Sequence, residues 1–156
     1  MLYTFGYEGQ NIDSFIYRLI ESGIKTIIDV RELPLSRKKG FSKNSFAAHL
    51  HAAGIAYAHM PALGCPKYIR NEYKESADWS VYTKKFNAYL ETQTSAIKEL
   101  SKISNSTQVC LICFEADYRM CHRSLIAHAC QKTTGKAVSH ITAKTMIVEL
   151  PALVAA

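Results

Sequence analysis

Apolar residues recur along the chain in short runs that are separated by segments of helical spacing. Residues 2–7 (LYTFGY), 26–30 (TIIDV), 55–60 (IAYAHM) and 109–115 (VCLICFE) each have the length and composition of a β-strand. A weaker fifth run covers residues 137–141 (AVSHI). The run 26–30 is apolar almost throughout, which is typical of a strand that is covered on both faces.

Between these runs, apolar residues fall three and four positions apart, as in an amphipathic helix. Four helices are predicted, and they begin at or near Asn11, Ser42, Asp78 and Arg123. Three of them end near a glycine that suits a helix terminus, namely Gly23, Gly54 and Gly135. We read residues 61–68 (PALGCPKY) as a loop, and we predict that the third helix is long and ends in the polar segment 104–108 (SNSTQ).

Strands that alternate with helices predict an α/β fold. We expect a single three-layer domain over residues 1–156, with a mostly parallel sheet of about five strands and helices on both faces, and the chain length suits one domain. In such a sheet, ligands bind beyond the carboxyl ends of the strands. Each of the first four strands runs into a polar or charged segment, so we expect these segments to form one site.

The composition, 48% apolar and 21% charged, is ordinary for a soluble globular protein. The N-terminus lacks the pattern of a signal peptide, and no apolar run approaches the length of a membrane span. A cytoplasmic protein with no membrane partner is therefore expected. Four of the five cysteines lie within the 21 residues from 110 to 130, and in this compartment we expect reduced thiols.

The net charge of +6 is concentrated in one part of the chain. Residues 31–74 contain eight Lys and Arg against two Glu, so this segment accounts for the whole excess. A local excess of this kind predicts a positive face that suits an anionic partner, either a small molecule or a nucleic acid.

The segment 109–124 (VCLICFEADYRMCHRS) gathers reactive and charged groups at the end of the fourth strand. Alternate residues of a strand share a face, so Cys113 and Glu115 are expected to point the same way. Cys121 and His122 stand at the start of the next helix, where free N–H groups and the helix dipole favour an anion. A positive environment there would lower the pKa of a nearby thiol. We take these four residues as candidate catalytic groups, with Glu115 as general acid or base and one thiol as nucleophile.

The candidate ligand-binding residues come from the ends of the first, second and fourth strands: Tyr7, Arg31, Ser36, Arg37 and Arg123. The arginines would hold the charge of the anion, since a guanidinium group binds phosphate or carboxylate through two N–H groups. Asp29 lies one residue inside its strand and is expected to orient Arg31 or to cap a turn. We assign no metal ligand at this point, and Cys110 and Cys113 face opposite sides of one strand, which weakens the interpretation of residues 110–113 (CLIC) as a zinc-binding pair.

With these residues in this order, the chain resembles the family catalogued as domain of unknown function 488. The resemblance is carried by TFGYEG, IDVRELPLSRKKGFS, GIAYAHMPALG and CLICFEADYRMCHRSLIA, and above all by D-V-R-x-x-P-x-S-R together with C-x-E-x(5)-C-H-R. Tyr118 stands where the family is expected to have proline, and Cys65 where a second glycine is more frequent. The resemblance implies the fold and the location of the site, and it provides no reaction or cofactor.

Three functions stay open. The first is an enzyme for a phosphate-bearing or otherwise anionic substrate, including a nucleotide or nucleic acid. The second is a non-catalytic nucleic-acid-binding module that uses the basic segment 31–74. The bases of the bound nucleic acid would stack on four aromatic residues: Phe41, Tyr57, Tyr68 and Tyr73. The third is a metal-binding or redox protein that uses Cys113, Cys121 and His122, with His59 or Glu115 as a fourth ligand. The oligomeric state is not predicted.

Overall fold

The computed structural model describes residues 1–153 and contains one six-stranded sheet. The strands are β1 (Leu2–Gly6), β2 (Thr26–Asp29), β3 (Ala56–His59), β4 (Val109–Cys113), β5 (Val138–Ile141) and β6 (Met146–Glu149). Their order across the sheet is β3-β2-β4-β1-β5-β6. Neighbours among β1 to β5 are parallel, and β6 is antiparallel to β5. The predicted α/β class with a mostly parallel sheet is therefore confirmed.

The helices cover both faces of the sheet. They are α1 (Ile12–Glu21), α2 (Lys43–Ala52), α3 (Lys67–Ser76), α4 (Trp79–Glu91), α5 (Thr94–Ser106) and α6 (His122–Thr134). Buried residues of α1 and α2 belong to one hydrophobic core, and those of α3 to α6 belong to the other. The central strand β4 contributes to both cores, with Cys110 and Ile112 in the first and Val109 and Leu111 in the second. Its continuous apolar sequence follows from this double burial.

The prediction of a loop followed by one long helix is wrong in two places. The loop segment ends in α3, which buries only Ile69 and is otherwise mostly polar or charged, so few apolar positions mark it as a helix. The long helix is in fact two helices, α4 and α5, which part at Thr92 and Gln93. Neither residue is glycine or proline, so the usual marks of a helix end are missing from the sequence.

The sheet also has one strand more than the expected number of about five. Strand β6 is short and lies at the edge of the sheet. Its apolar side chains, Met146, Ile147 and Val148, are all exposed. The run is short and apolar, as in a strand, but it was not assigned to the sheet from the sequence. Among the described residues, no helix is both long enough and apolar enough to cross a membrane.

Candidate functional site

A cavity of about 400 Å³ opens at the carboxyl ends of β2 and β4. Its floor is formed by residues that follow β1, β2 and β4 or begin α6: Tyr7, Arg31, Cys113, Glu115, Cys121 and His122. Its wall is formed by residues in α3 and α4 and just before them: Cys65, Arg70, Tyr73, Lys74, Trp79 and Tyr82. Apolar side chains form the rim, namely Leu33, Leu35, Phe114 and Met120. The cavity lies where ligands bind in sheets of this type.

Two cysteines and a histidine meet on the floor, and we call them the thiol cluster: Cys113, Cys121 and His122. The Sγ atom of Cys113 lies 3.7 Å from Nδ1 of His122, and the Sγ atom of Cys121 lies 3.8 Å from the same nitrogen. The three atoms all lie within 4.8 Å of one another. All three residues are buried. Cys113 is the last residue of β4, Cys121 immediately precedes α6, and His122 is the first residue of α6.

The ring of His122 is held in one orientation. Its Nε2 atom lies 2.7 Å from the backbone carbonyl oxygen of Val30, and it must carry the hydrogen because a carbonyl only accepts. The ring also packs edge-on against Phe86, with 5.4 Å between the ring centroids. Together these contacts direct Nδ1 of His122 towards the two thiols.

The two thiols of the cluster differ in acidity. Burial acts to raise the pKa of Cys121, but the hydrogen bond from Cys113 and the positive charges of Arg123 and His122 outweigh it, and this pKa lies well below its ordinary value. The pKa of Cys113 is raised well above its ordinary value by the hydrogen bond with Cys121 and by burial. Cys65, the third thiol of the cavity, has its pKa raised by burial to about 11. Cys121 is thus the thiol that ionises first.

His122 and Glu115 respond to the charge on Cys121. Burial acts to lower the pKa of His122, but the hydrogen bond and the charge of Cys121 outweigh it and raise this pKa. Burial, together with the charge of Cys121, raises the pKa of Glu115. Its Oε2 atom lies 3.4 Å from the Sγ atom of Cys113. A carboxyl group that keeps its proton to higher pH is suited to proton transfer with a bound ligand.

Arg31 is bound on the floor by the carboxylate of Asp29. Its Nε and Nη2 atoms donate to the two carboxylate oxygens at 2.9 and 2.7 Å, and Tyr57 donates to the same group at 2.6 Å. Its Nη1 atom donates to the Phe41 carbonyl at 2.7 Å and to the Tyr7 hydroxyl at 3.2 Å. Burial acts to lower the pKa of Arg31, but Asp29 outweighs it and raises this pKa, so the group stays charged. The expected orienting role of Asp29 matches this geometry.

Arg123 lies behind the floor and is fully buried. Its guanidinium group donates to the backbone carbonyls of Glu115 at 2.6 Å and of Ala116 at 3.3 Å. Gly6 is required beside it, because a Cβ atom there would lie 2.6 Å from the carbonyl carbon of Glu115 and 3.1 Å from Nη1 of Arg123. The geometry therefore gives Arg123 a positioning role for the Glu115 loop, in place of the expected contact with an anion.

Arg37 and Ser36 do not line the cavity. Arg37 is exposed on the loop between β2 and α2. The amide of Ser36 donates to the hydroxyl of Ser42 at 2.9 Å, and that hydroxyl donates to the carbonyl of Ser36 at 2.8 Å. Ser42 is the residue just before α2, as predicted, but its hydroxyl stabilises this loop instead of capping the helix.

His59, named above as a possible fourth metal ligand, is also outside the cavity lining. Its Nε2 atom lies 2.7 Å from the backbone carbonyl oxygen of Arg31. The His59 ring therefore holds the backbone just after β2. Of the two residues considered as a fourth metal ligand, Glu115 is the one that lies beside the thiol cluster.

The wall was predicted only in part: Arg70 and Lys74 belong to the basic segment 31–74 that was expected to face an anion, and Tyr73 was named as a residue on which bases could stack, but these residues were not placed at the strand-end site. Arg70 donates from Nη2 to Glu32 at 2.7 Å and from Nε to the Cys65 carbonyl at 3.1 Å. Trp79 stacks on Tyr82 with 4.6 Å between ring centroids. One signal for the wall was available, since Arg70 and Lys74 are four residues apart and would share one side of a helix. It required the segment around them to be recognised as helical.

This is an α/β protein whose sheet is covered by helices on both faces. Its site is a pocket lined by thiols and an imidazole at the carboxyl ends of the central strands. Residues 11–130 match a family model described as Domain of unknown function DUF488. The match covers most of the chain, so the chain belongs to this family, and the resemblance is confirmed. The matched range includes the thiol cluster and the Asp29–Arg31 pair, while Gly6 and Tyr7 precede it. Comparison with curated proteins and with solved structures gave no match.

Proposed function

We propose that the cavity binds a small anionic ligand that carries a flat ring, such as a nucleotide, and that the ligand reacts on the floor. The observation that carries this proposal is the wall, which places the cations Arg70 and Lys74 beside the aromatic residues Tyr73 and Trp79. Cations suit a phosphate group, and aromatic faces suit a base. The volume of about 400 Å³ is within the range of small-molecule sites.

The charge of the wall is available to a ligand. Arg70 is paired with Glu32, but both side chains are about one-third exposed, so the pair can exchange partners with a bound anion. Lys74 is exposed, and among residues 1–153 no carboxylate lies within ion-pair distance of it. On the floor the charge of Arg31 is balanced by Asp29. The anion is therefore expected to bind at the α3 side of the cavity.

The apolar surface of the cavity supports a ligand that has a ring. Tyr73 packs edge-on against Trp79, with 5.7 Å between centroids, and so forms a continuous aromatic surface. Two other lining residues, Leu33 and Leu35, are 60% and 75% exposed. Large exposed apolar side chains that are grouped at the mouth of a cavity mark a surface that a ligand covers.

The floor supplies the reactive groups. The thiol cluster and Glu115 face the same cavity as the wall, so a ligand that is held by Lys74 lies next to them. Binding alone does not require two buried thiols, a fixed imidazole and a carboxyl group with a raised pKa in one place. We therefore assign turnover of the ligand to this group.

A nucleic-acid-binding module is supported less well. Of the four aromatic residues that would stack on bases, Phe41 is fully buried, Tyr57 is bonded to Asp29, and Tyr73 is part of the wall. Tyr68 is 64% exposed and is the residue best placed for an oligonucleotide. One exposed aromatic residue gives little of the stacking surface on which single-strand binding relies.

The test uses the fluorescence of Trp79, which is the sole tryptophan of the chain and lines the cavity. Titration with nucleoside monophosphates is expected to quench this fluorescence saturably and to raise the midpoint of thermal unfolding. The nucleoside alone and inorganic phosphate alone are expected to bind more weakly, because each lacks one of the two recognised groups.

Replacing Lys74→Ala is expected to weaken monophosphate binding about tenfold, in the range for a hydrogen bond to a charged group. Lys102→Ala is the matched control, since Lys102 is exposed on α5 and lies outside the cavity. Failure of every small anion to change the Trp79 signal would refute the proposal. Oligonucleotide binding with a steep salt dependence, weakened equally by Lys39→Ala and Lys74→Ala, would favour the nucleic-acid module.

A further inference from the structure

We propose that the thiol cluster is a zinc site, in which the Sγ atoms of Cys113 and Cys121 and the Nδ1 atom of His122 hold one Zn²⁺. This inference goes beyond ligand binding by the cavity and does not depend on it. It rests on the distances among the three atoms, on the hydrogen bonding of the imidazole ring and on the elements that carry the ligands.

The distances fit a tetrahedral metal. Zinc binds sulfur at about 2.3 Å and imidazole nitrogen at about 2.0–2.1 Å, so a tetrahedral site separates its sulfur and nitrogen ligands by about 3.6 Å. The two Sγ atoms lie 3.7 and 3.8 Å from Nδ1 of His122. All three atoms lie within 4.8 Å of one another.

The hydrogen bonding of the imidazole ring leaves one lone pair directed at the two thiols. Because Nε2 of His122 donates to the Val30 carbonyl, the neutral ring has one lone pair, on Nδ1. Both thiols lie within 3.8 Å of this nitrogen, and the Sγ atom of Cys113 also has Oε2 of Glu115 as an acceptor at 3.4 Å. When a cation binds, each deprotonated sulfur and the nitrogen direct a lone pair at the same point, and the metal takes the place of these hydrogen bonds.

The surroundings of the cluster are those of a metal-ligating histidine. Such a residue usually donates its other ring N–H to a carbonyl or carboxylate, which fixes the ring and its tautomer, and Val30 supplies that acceptor here. Cys113 ends β4, and Cys121 is the residue before α6. Both ligand positions are therefore fixed by regular elements, and the N-terminal end of α6 favours negative sulfur.

Three protein ligands leave the fourth position of a tetrahedral ion free. The cluster lines the cavity, so this position faces the bound ligand or water, as in catalytic zinc sites with two cysteines and one histidine. Oε2 of Glu115, 3.4 Å from Sγ of Cys113, is placed to accept a hydrogen bond from a water molecule there. Thiolate and imidazole ligands favour zinc over magnesium or calcium, which prefer oxygen.

The test starts from the full chain, purified under reducing conditions, stripped with a chelator and titrated with Zn²⁺ or Co²⁺. About one equivalent of metal is expected to bind, and the Co²⁺ form is expected to show thiolate-to-metal charge-transfer absorption. Cys121→Ser and Cys113→Ser are expected to abolish that absorption. Cys110→Ala is the matched control, because Cys110 lies in the same strand but belongs to the core on the other face of the sheet.

A second measurement needs no variant. Zinc is expected to slow the alkylation of Cys113 and Cys121 by N-ethylmaleimide at least tenfold, as read by mass spectrometry of peptides, and to leave Cys110 and Cys130 unchanged. Absence of a stoichiometric metal, or full charge-transfer absorption in Cys121→Ser, would overturn the proposal. So would a metal-free protein whose Cys113 and Cys121 join in a disulfide on mild oxidation, which would define a redox pair.

Discussion

Two ion pairs border the cavity, Asp29–Arg31 on the floor and Glu32–Arg70 beside the wall, and they differ in burial. The side chains of the first pair are 0% and 6% exposed, and those of the second are 32% and 35% exposed. A buried charge needs its partner, because removal of either one leaves the other without compensation in a medium of low polarity. An exposed charge keeps most of its hydration and depends little on its partner.

We expect this difference to separate the stability of the protein from the ligand recognition that we propose. The floor is connected to the sheet through Asp29, which accepts a hydrogen bond from the backbone N–H of Arg31, and through Arg123, which donates to the backbone carbonyl of Glu115. The geometry of the floor therefore depends on the fold. The wall presents the side chains of Arg70 and Lys74 at the surface of α3. We expect changes on the floor to alter the free energy of unfolding and changes on the wall to alter binding.

The largest effect is expected for Asp29→Asn. The variant keeps the size of the side chain but leaves the charge of Arg31 buried without a counter-charge, which is expected to cost about 3 kcal/mol of the free energy of unfolding. Urea denaturation at constant m-value measures this loss. Glu32→Gln, in the exposed pair, is the control and is expected to change stability by less than about 1 kcal/mol. Equal losses in the two variants would contradict the distinction.

A smaller loss is expected for Gly6→Ala. The added methyl group would collide with the backbone of Glu115 and approach Nη1 of Arg123, so the loop after β4 has to move. We expect a loss of about 2 kcal/mol, as for an overpacked site. Gly54→Ala is the comparison, because its Cβ atom meets nothing within 4 Å and its positive φ of 75° alone costs about 1 kcal/mol. A loss no greater than that of Gly54→Ala would show that the loop is not held closely against β1.

The same two regions differ in how well the sequence predicts them. The floor follows strands that are apolar runs, and the rule that strand ends share one edge brings Cys113, Glu115 and Arg31 together. The wall depends on α3, whose only buried residue is Ile69 and whose position is fixed by packing against α4. A helix with so few apolar residues depends mainly on tertiary contacts, and its own sequence gives little evidence for it.

The sequence also fails to predict the direction in which some side chains of the site point. Arg123 was expected to face an anion because it follows the N-terminal end of a helix, yet its guanidinium group turns back to the carbonyls of Glu115 and Ala116. Arg37 shares its loop with residues of the rim but points into solvent. The order of the chain places a residue near a site, while local packing decides which way its side chain points.

The smallest change in stability, and the clearest change in recognition, is expected on the wall. Glu32 holds Arg70 by one hydrogen bond of 2.7 Å and carries a negative charge at the cavity. In Glu32→Gln the repulsion of an anion is removed and Arg70 is released, so a nucleoside monophosphate is expected to bind several-fold more tightly. Arg70→Ala leaves Glu32 unpaired and is expected to weaken binding about tenfold, although each variant changes stability by less than about 1 kcal/mol. Titration of Trp79 fluorescence measures both affinities, and opposite shifts at nearly equal stability would show that the wall recognises charge independently of the fold. Shifts in the same direction would instead mean that the pair itself shapes the cavity.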